Sequence, residues 1–252
     1  MTPSKSGAVF AIALAMLIHA VASACLAQQR PSKPKESGGD ATPRQADLKR
    51  LSPEYDVWLD SANRRVVMLG RVCLRQGPLE LLACLEGTKE HEAILAIRTK
   101  AFVVHSALLA VGAEPGSPVR FQPEYAPATG PAVEVTLFWT DAQRKRRQSR
   151  GQDWVKYHKT GRAMDHPWVF AGSAFWQDPT SGEKFYQAED GDLICVSNFP
   201  SALLDLPIES SQANAELLFE AFTDRIPPLG TRVWVVLTPR IEKKDSAKAD
   251  KS

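Results

Sequence analysis

Cysteines, histidines and one dense basic run are the side chains in this 252-residue chain whose types could do chemistry. Cys73 and Cys84 are separated by Leu74-Arg75-Gln76-Gly77-Pro78-Leu79-Glu80-Leu81-Leu82-Ala83. If that segment is a hairpin turning tightly at Pro78-Leu79, Cys73 falls opposite Cys84, with Arg75 and Glu80 on the same face. Val72, Leu74, Ala83 and Leu85 then share the other face. Cross-strand spacing in such a pair suits a disulfide. A loop this short would contribute roughly 3 kcal/mol by restricting the unfolded chain. The competing reading is a redox or metal-binding pair. No C-x-x-C or C-x-x-C-H occurs, which removes thioredoxin-like and c-type haem motifs. Cys195, inside Leu193-Ile194-Cys195-Val196, reads as a buried free thiol acting as a small hydrophobe.

His91 stands between Glu90 and Glu92, a short distance after Cys84, and His105 sits among Val103, Val104, Leu108 and Leu109. His91, His105 and Cys84 form the candidate metal set, and a metal ion is the one cofactor in view. Against it, extended backbone would turn Glu90 and Glu92 away from His91, and His91-Glu92-Ala93-Ile94-Leu95 lacks the second histidine of the zinc-protease motif. His158 and His166 fall in a polar loop. Arg144, Lys145, Arg146, Arg147 and Arg150 make the basic run, continued by Lys156, Lys159 and Arg162 with Trp154 and Tyr157 interleaved. Such a segment could grip an anionic polymer or lipid headgroups, or it is an exposed hairpin tip. Gly172-Ser173 lacks the second glycine of a nucleophile elbow. Glu189, Asp190 and Asp192 around Gly191 read as turn chemistry rather than as a calcium loop. No catalytic constellation emerges, and the chain leans away from being an enzyme.

Strand signals dominate the elements that must position these groups. Residues 56–59 and 65–69 read as a hairpin, 92–98 as a buried strand, and 132–140 as a strand with Val133, Val135, Leu137 and Trp139 on one parity. Residues 168–176 and 184–187 flank a turn, 192–197 is a short strand, and 231–238 closes the domain. One helix is expected from Thr99 to about Val111, capped by Thr99 and stopped by Gly112. A second is expected over 212–223, where Ala215, Leu218, Phe219 and Phe222 lie on one helical face. The expectation is an α+β domain over residues 51–240. It would hold a largely antiparallel or mixed sheet with about two packed helices, in two loosely similar halves.

The chain ends differ from this domain. Residues 1–27 carry Lys5, an apolar run over 8–24 and small residues at Ala22-Ser23-Ala24 and Ala27, which is the form of a cleaved secretory signal. Ala22-Ser23-Ala24-Cys25 also loosely matches a lipidation site at Cys25. Residues 28–50 are proline-, glycine- and charge-rich and read as a flexible tether, with 241–252 as a similar tail. The whole chain is 44% hydrophobic and 24% charged with a net charge of +2. That is ordinary globular usage, with no general case for nucleic-acid binding.

Several stretches together carry a family likeness. They are Gly77-Pro78-Leu79-Glu80 leading to Cys84, Gly87-Thr88-Lys89-Glu90-His91-Glu92, and Ala101-Phe102-Val103-Val104-His105 with Ala113-Glu114-Pro115-Gly116. Further on come Asp192-Leu193-Ile194-Cys195-Val196-Ser197-Asn198-Phe199-Pro200 and Val235-Val236-Leu237-Thr238-Pro239. The chain resembles the YdjY-type domain family of exported bacterial proteins over most of residues 56–240. The resemblance implies export and one compact domain, and brings no catalytic residues with it. The resulting expectation is an exported, periplasmic, secreted or lipid-anchored, non-catalytic domain that binds a cell-envelope protein or polymer or plays a structural role.

Overall fold

Short runs rich in apolar and β-branched residues, most of them buried on both faces, build the strands of this chain. The structure, a computed structural model, describes residues 48–210 and 217–241. The expected signal with Cys25, most of the expected tether and nearly all of the expected tail lie outside the described residues. In chain order the strands are β1 (Lys49–Arg50), β2 (Val57–Asp60), β3 (Arg65–Val72), β4 (Leu81–Leu85) and β5 (Ala93–Ile97). Helix α1 (Ala101–Ala110) follows, then β6 (Ala132–Thr140), β7 (Arg146–Arg150), β8 (Val155–Tyr157), β9 (Trp168–Phe170), β10 (Phe175–Gln177) and β11 (Lys184–Tyr186). The last strands are β12 (Ile194–Cys195), β13 (Leu204–Asp205), β14 (Phe219–Ala221) and β15 (Arg232–Pro239).

Eight of these strands close a ring, β3-β15-β6-β9-β13-β12-β4-β5 and back to β3. Closure leaves no free edges within the ring. Pairing is antiparallel except for β4 with β5 and β12 with β13. Along β15, Val233, Val235 and Leu237 point inward with Val66 and Met68 of β3 and Val133, Val135 and Leu137 of β6. Trp234 and Val236 point out and join Val67, Leu69 and Phe138. The core inside the ring is completed by Trp168 and Phe170, both fully buried, and the Trp168 indole N–H donates to the carbonyl of Cys195 at 2.6 Å. Outside the ring, β1 and β2 extend the sheet beyond β3, and β7 extends it from β6.

This closed barrel overturns the expected α+β architecture with two helices and two similar halves. Among the described residues α1 is the one α-helix. Its Val104, Ala107 and Leu108 pack into the barrel core, and Gly112, at φ 93°, ends it in a left-handed conformation suited to glycine. The expected Thr99 cap is not made; the carboxylate of Glu189 instead accepts the N–H of Phe102 at 2.9 Å, placing negative charge at the helix start. The expected helix over 212–223 is not formed in its described part: Phe219–Ala221 is strand β14, paired with β8, with Phe219 against Tyr157 at 4.8 Å. Residues 211–216 lie outside the description. In β14, Phe219 and Ala221 are buried and Glu220 is half-buried, so two-residue alternation and a partner strand prevail over the helical spacing. The halves fail because β15, last in sequence, inserts between β3 and β6.

The tight Cys73–Cys84 hairpin is not formed either. β3 and β4 are not neighbours; β5 lies between them, antiparallel to β3 and parallel to β4.

Candidate functional site

The outer face of β2, β3, β15, β6 and β7 carries three rows of side chains set by strand register. Leu69, Trp234, Phe138 and Gln148 lie side by side in one row. Trp58, Val67, Val236, Thr136 and Arg150 make the next. On the other flank of the aromatic row Arg71 pairs with Arg232 and Thr140 pairs with Arg146. Since Val233 opposes Trp139, Arg232 adjoins Thr140 in the same register. Arg232 and Arg146 thus flank Thr140 from two strands, about 10 Å apart at the backbone.

Of these rows, Trp58, Leu69, Phe138 and Trp234 floor a groove of about 940 Å³. Trp58 and Trp234 lie with ring centroids 5.1 Å apart, and the Arg50 guanidinium sits 5.3 Å from the Trp58 ring. Four arginines line the groove, Arg50, Arg146, Arg147 and Arg232, against two aspartates. Both aspartates are engaged. Asp56 pairs with Arg50 and Arg98, each at 3.0 Å. Asp141 pairs with Arg147 at 2.7 Å and accepts the N–H groups of Gln143 and Lys145. The Lys145 N–H and the Arg147 guanidinium hold the Asp141 carboxyl below its ordinary range. Arg146 and Arg232 have no acidic partner among the described residues. The groove is therefore an aromatic floor with two uncommitted guanidiniums at one side, and it can hold a flat or ring-bearing ligand carrying negative charge.

The basic run is thereby divided. Arg146 and Arg147 line the groove. Arg150 leans on Asp153 at 2.8 Å, and Arg144, at φ 60°, makes the β6–β7 turn beside exposed Lys145. Arg232, Trp234, Trp58 and Arg50 were missed by sequence reasoning. The signal available was the shared parity of Arg232 and Trp234 in a strand otherwise rich in valine.

On the opposite flank of β3 the outward residues are small. Cys84, Ala93, Ala96 and Cys195 pack with Leu81, Phe199 and Ala202, and half-buried Cys73 joins them. Cys73 and Cys84 are free thiols, and the Cys73 thiol donates to the carbonyls of Ala93 at 3.1 Å and Ile94 at 3.4 Å. The neighbouring Cys84 thiol pulls Cys73 below its ordinary range, and Cys73 together with burial pushes Cys84 up. Burial pushes Cys195 up as well, as expected of an inert core thiol. Beside them lies a group of acids and one lysine. Lys89 reaches Asp192 at 2.8 Å, Ser201 donates to the same carboxylate at 2.5 Å, and Lys89 lies 4.5 Å over the Phe199 ring. Burial and neighbouring Glu92 push Glu80 up to about 7. Burial pushes Asp205 up to about 7, against the hydrogen bonds from Asn198 and the Leu206 N–H.

The candidate metal set is not brought together. His91 is exposed and leans on Glu92 at 3.6 Å. His105, on α1, meets the Tyr186 hydroxyl at 2.7 Å, and that hydroxyl donates to Gly172 at 2.9 Å; burial holds His105 below its ordinary range. Cys84 is buried with Cys195 in the thiol cluster. Each sits on a different element with its own partner, and among the described residues no group of three His, Cys, Asp or Glu could hold a metal. The Ser173 hydroxyl donates to the Ser201 carbonyl at 2.7 Å. Glu189 caps α1 and Asp192 holds Lys89, so these two acids beside Gly191 are structural.

No curated protein and no solved structure matches the chain. The model of the YdjY domain matches residues 57–238, a span that holds the thiols and the groove except Arg50 and Asp56, and the chain belongs to the YdjY domain family.

Proposed function

We propose that the chain is a non-catalytic binding domain of the cell envelope whose ligand is an acidic polysaccharide held in the arginine-rimmed aromatic groove. The observation that carries this reading is the pair of uncommitted guanidiniums, Arg146 and Arg232, beside the floor of Trp58, Phe138 and Trp234. Sugar rings present C–H faces that pack on indole, and their carboxylates or sulfates accept charge-assisted hydrogen bonds from arginine. The signal-like residues 1–27 and the polar stretch after them support display of the domain outside the cytoplasm, either free or held by lipid at Cys25. Intact mass of the exported protein separates those two forms: a start at Gln28 marks cleavage, and an acylated Cys25 marks anchoring.

Heparin is the probe for the groove. The chain is expected to bind it with an affinity that falls as salt rises. Replacing Arg146 and Arg232 together by alanine removes about 3 kcal/mol of charge-assisted bonding, roughly a 100-fold loss. Binding that is insensitive to salt, or unchanged in the double variant, rejects the reading.

A further inference from the structure

We propose that the open edge of β7 takes up an extended acidic peptide segment of a partner protein as one more antiparallel strand, seated on the backbone of Arg146 and Gln148. The inference does not rest on the groove's ligand, because it uses main-chain groups at the sheet edge. β7 pairs with β6 and with no other strand, so one of its sides is unpaired. Antiparallel neighbours exchange hydrogen bonds at every second residue. Where β6 turns into β7, the Asp141 N–H donates to the Lys145 carbonyl at 2.9 Å, so Trp139 with Arg147 and Leu137 with Ser149 are the bonded pairs. The far side of β6 agrees. The Arg240 N–H donates to the Ala132 carbonyl at 2.8 Å, which gives the even-numbered residues of β6 to β15 and leaves the odd-numbered ones for β7. Arg146, Gln148 and Arg150 therefore aim their N–H and C=O groups away from β6. Those of Arg150 are engaged: its N–H donates to the Asp153 carboxylate at 3.3 Å, and its carbonyl accepts the Ser149 hydroxyl at 3.1 Å. Arg146 and Gln148, both exposed, keep an outward N–H and C=O each, which is the pattern an added strand pairs with.

Charge selects the occupant. Residues 144–150 carry Arg144, Lys145, Arg146, Arg147 and Arg150 and no acid. Asp141 and Asp153 offset Arg147 and Arg150, while Arg144, Lys145 and Arg146 are exposed and have no ion pair among the described residues. Opposite charges that face each other across two strands stabilise the pair, and like charges destabilise it. A glutamate or aspartate placed opposite Arg146 on the new strand meets an uncommitted guanidinium. A second copy of this chain is the wrong occupant, because it would lay one arginine-rich edge against another. An acidic polysaccharide matches the charge but has no peptide groups at strand spacing to complete the ladder. The partner that satisfies both the main chain and the charge is a strand-forming segment with acidic residues at alternate positions.

The test uses the full chain and a labelled peptide of alternating glutamate and valine, about seven residues long. Binding, read by fluorescence anisotropy, is expected to weaken as salt rises. Amide hydrogen exchange at Arg146 and Gln148 should slow in the complex, while Arg147 and Ser149, already bonded to β6, should not change. A peptide N-methylated at its glutamates, whose N–H groups would face β7, should bind at least about 10-fold more weakly. Gln148→Pro removes one outward N–H and leaves the β6 ladder whole, a change that edge strands tolerate. It should weaken the peptide by at least about 10-fold and leave heparin affinity unchanged, since Gln148 does not line the groove. Equal binding of the methylated peptide, or unslowed exchange at Arg146 and Gln148, overturns the proposal. So does a Gln148→Pro chain that binds the peptide as the parent does or loses heparin and peptide alike. Dimerisation of the chain alone that protects the same two amides would give the edge to a second copy and also overturn it. Should Gln148→Pro not fold, the methylated peptide on the parent chain decides the matter.

Discussion

The groove and the thiol patch are outer faces of one barrel, and β3 borders both. On the β15 and β6 side the outward positions hold Trp234, Phe138, Arg232 and Arg146. On the β5 and β4 side they hold Ala93, Ala96 and Cys84, covered by Phe199 and Ala202. Large side chains at the first set stand up and leave a concavity between them. Small ones at the second let neighbouring segments close over the sheet. The difference also sets what each face can lose. Arg146 and Arg232 of the groove are exposed and have no acidic partner among the described residues, whereas the polar groups beside the thiols are largely buried and depend on one another. A face of the first kind can be edited for binding without unfolding, and one of the second kind cannot.

Lys89→Ala should give the largest effect and tests that contrast directly. It leaves the buried Asp192 carboxylate without its ammonium, and removing one partner of a buried pair costs about 3–5 kcal/mol. Urea denaturation reads this, and heparin affinity should be unchanged. A loss below about 1 kcal/mol, the scale of an exposed pair, would erase the distinction between the two faces.

The Arg146→Ala and Arg232→Ala double variant should do the reverse. Heparin affinity falls by roughly 100-fold, while stability stays within about 0.5 kcal/mol, as for surface changes away from buried networks. A stability loss of the size expected for Lys89→Ala would show that the guanidiniums hold the sheet together rather than await a ligand.

The thiol side should also respond to pH through Asp205, whose carboxyl is pushed up to about 7 by burial. Between the ordinary carboxylate range and that value the folded state keeps a proton that the unfolded chain has lost. Stability is therefore fully present at acid pH and falls as pH rises through the window, by at most about 1.4 kcal/mol per pH unit. Asp205→Asn should flatten that slope in urea titrations between about pH 5 and 7. A residual slope remains from Glu80, which burial and Glu92 also push up to about 7. A slope unchanged in Asp205→Asn would place the proton elsewhere.

How much of this was legible in the sequence follows from how local each signal is. The β2–β3 hairpin, β6 and β15 are visible because each is a run rich in β-branched and aromatic residues and, for the hairpin, the partner is next in sequence. Ring closure is not visible. It passes through β9, β13 and β12, each two or three residues long, too short for a periodic pattern and paired with partners far along the chain. The same non-local order explains the errors. Cys73 and Cys84 look like facing residues of a hairpin because nothing near them announces that β5 will insert between them. The helix expected at 212–223 fails in its described part because Phe219 pairs with Tyr157, and that partner is invisible to local spacing. Half of the groove's chemistry was readable as a basic run. The other half arrives only when β15 brings Arg232 and Trp234 alongside Thr140 and Phe138.

The smallest effect separates the groove from the charge of the run itself. Arg144 occupies a left-handed conformation, at φ 60°, in the β6–β7 turn and does not line the groove. Glycine there removes a strain of about 1–2 kcal/mol but adds about 0.4–1 kcal/mol of unfolded-chain freedom. Arg144→Gly should thus raise stability by about 1 kcal/mol or less and leave heparin affinity close to that of the parent chain. If it instead weakens heparin as much as Arg146→Ala does, polymer binding follows the summed charge of residues 144–150, and the aromatic floor has no part in it. If affinity holds while Trp234→Ala lowers it, the ligand is read by the groove: arginines fix its charge and the indole packs against its ring.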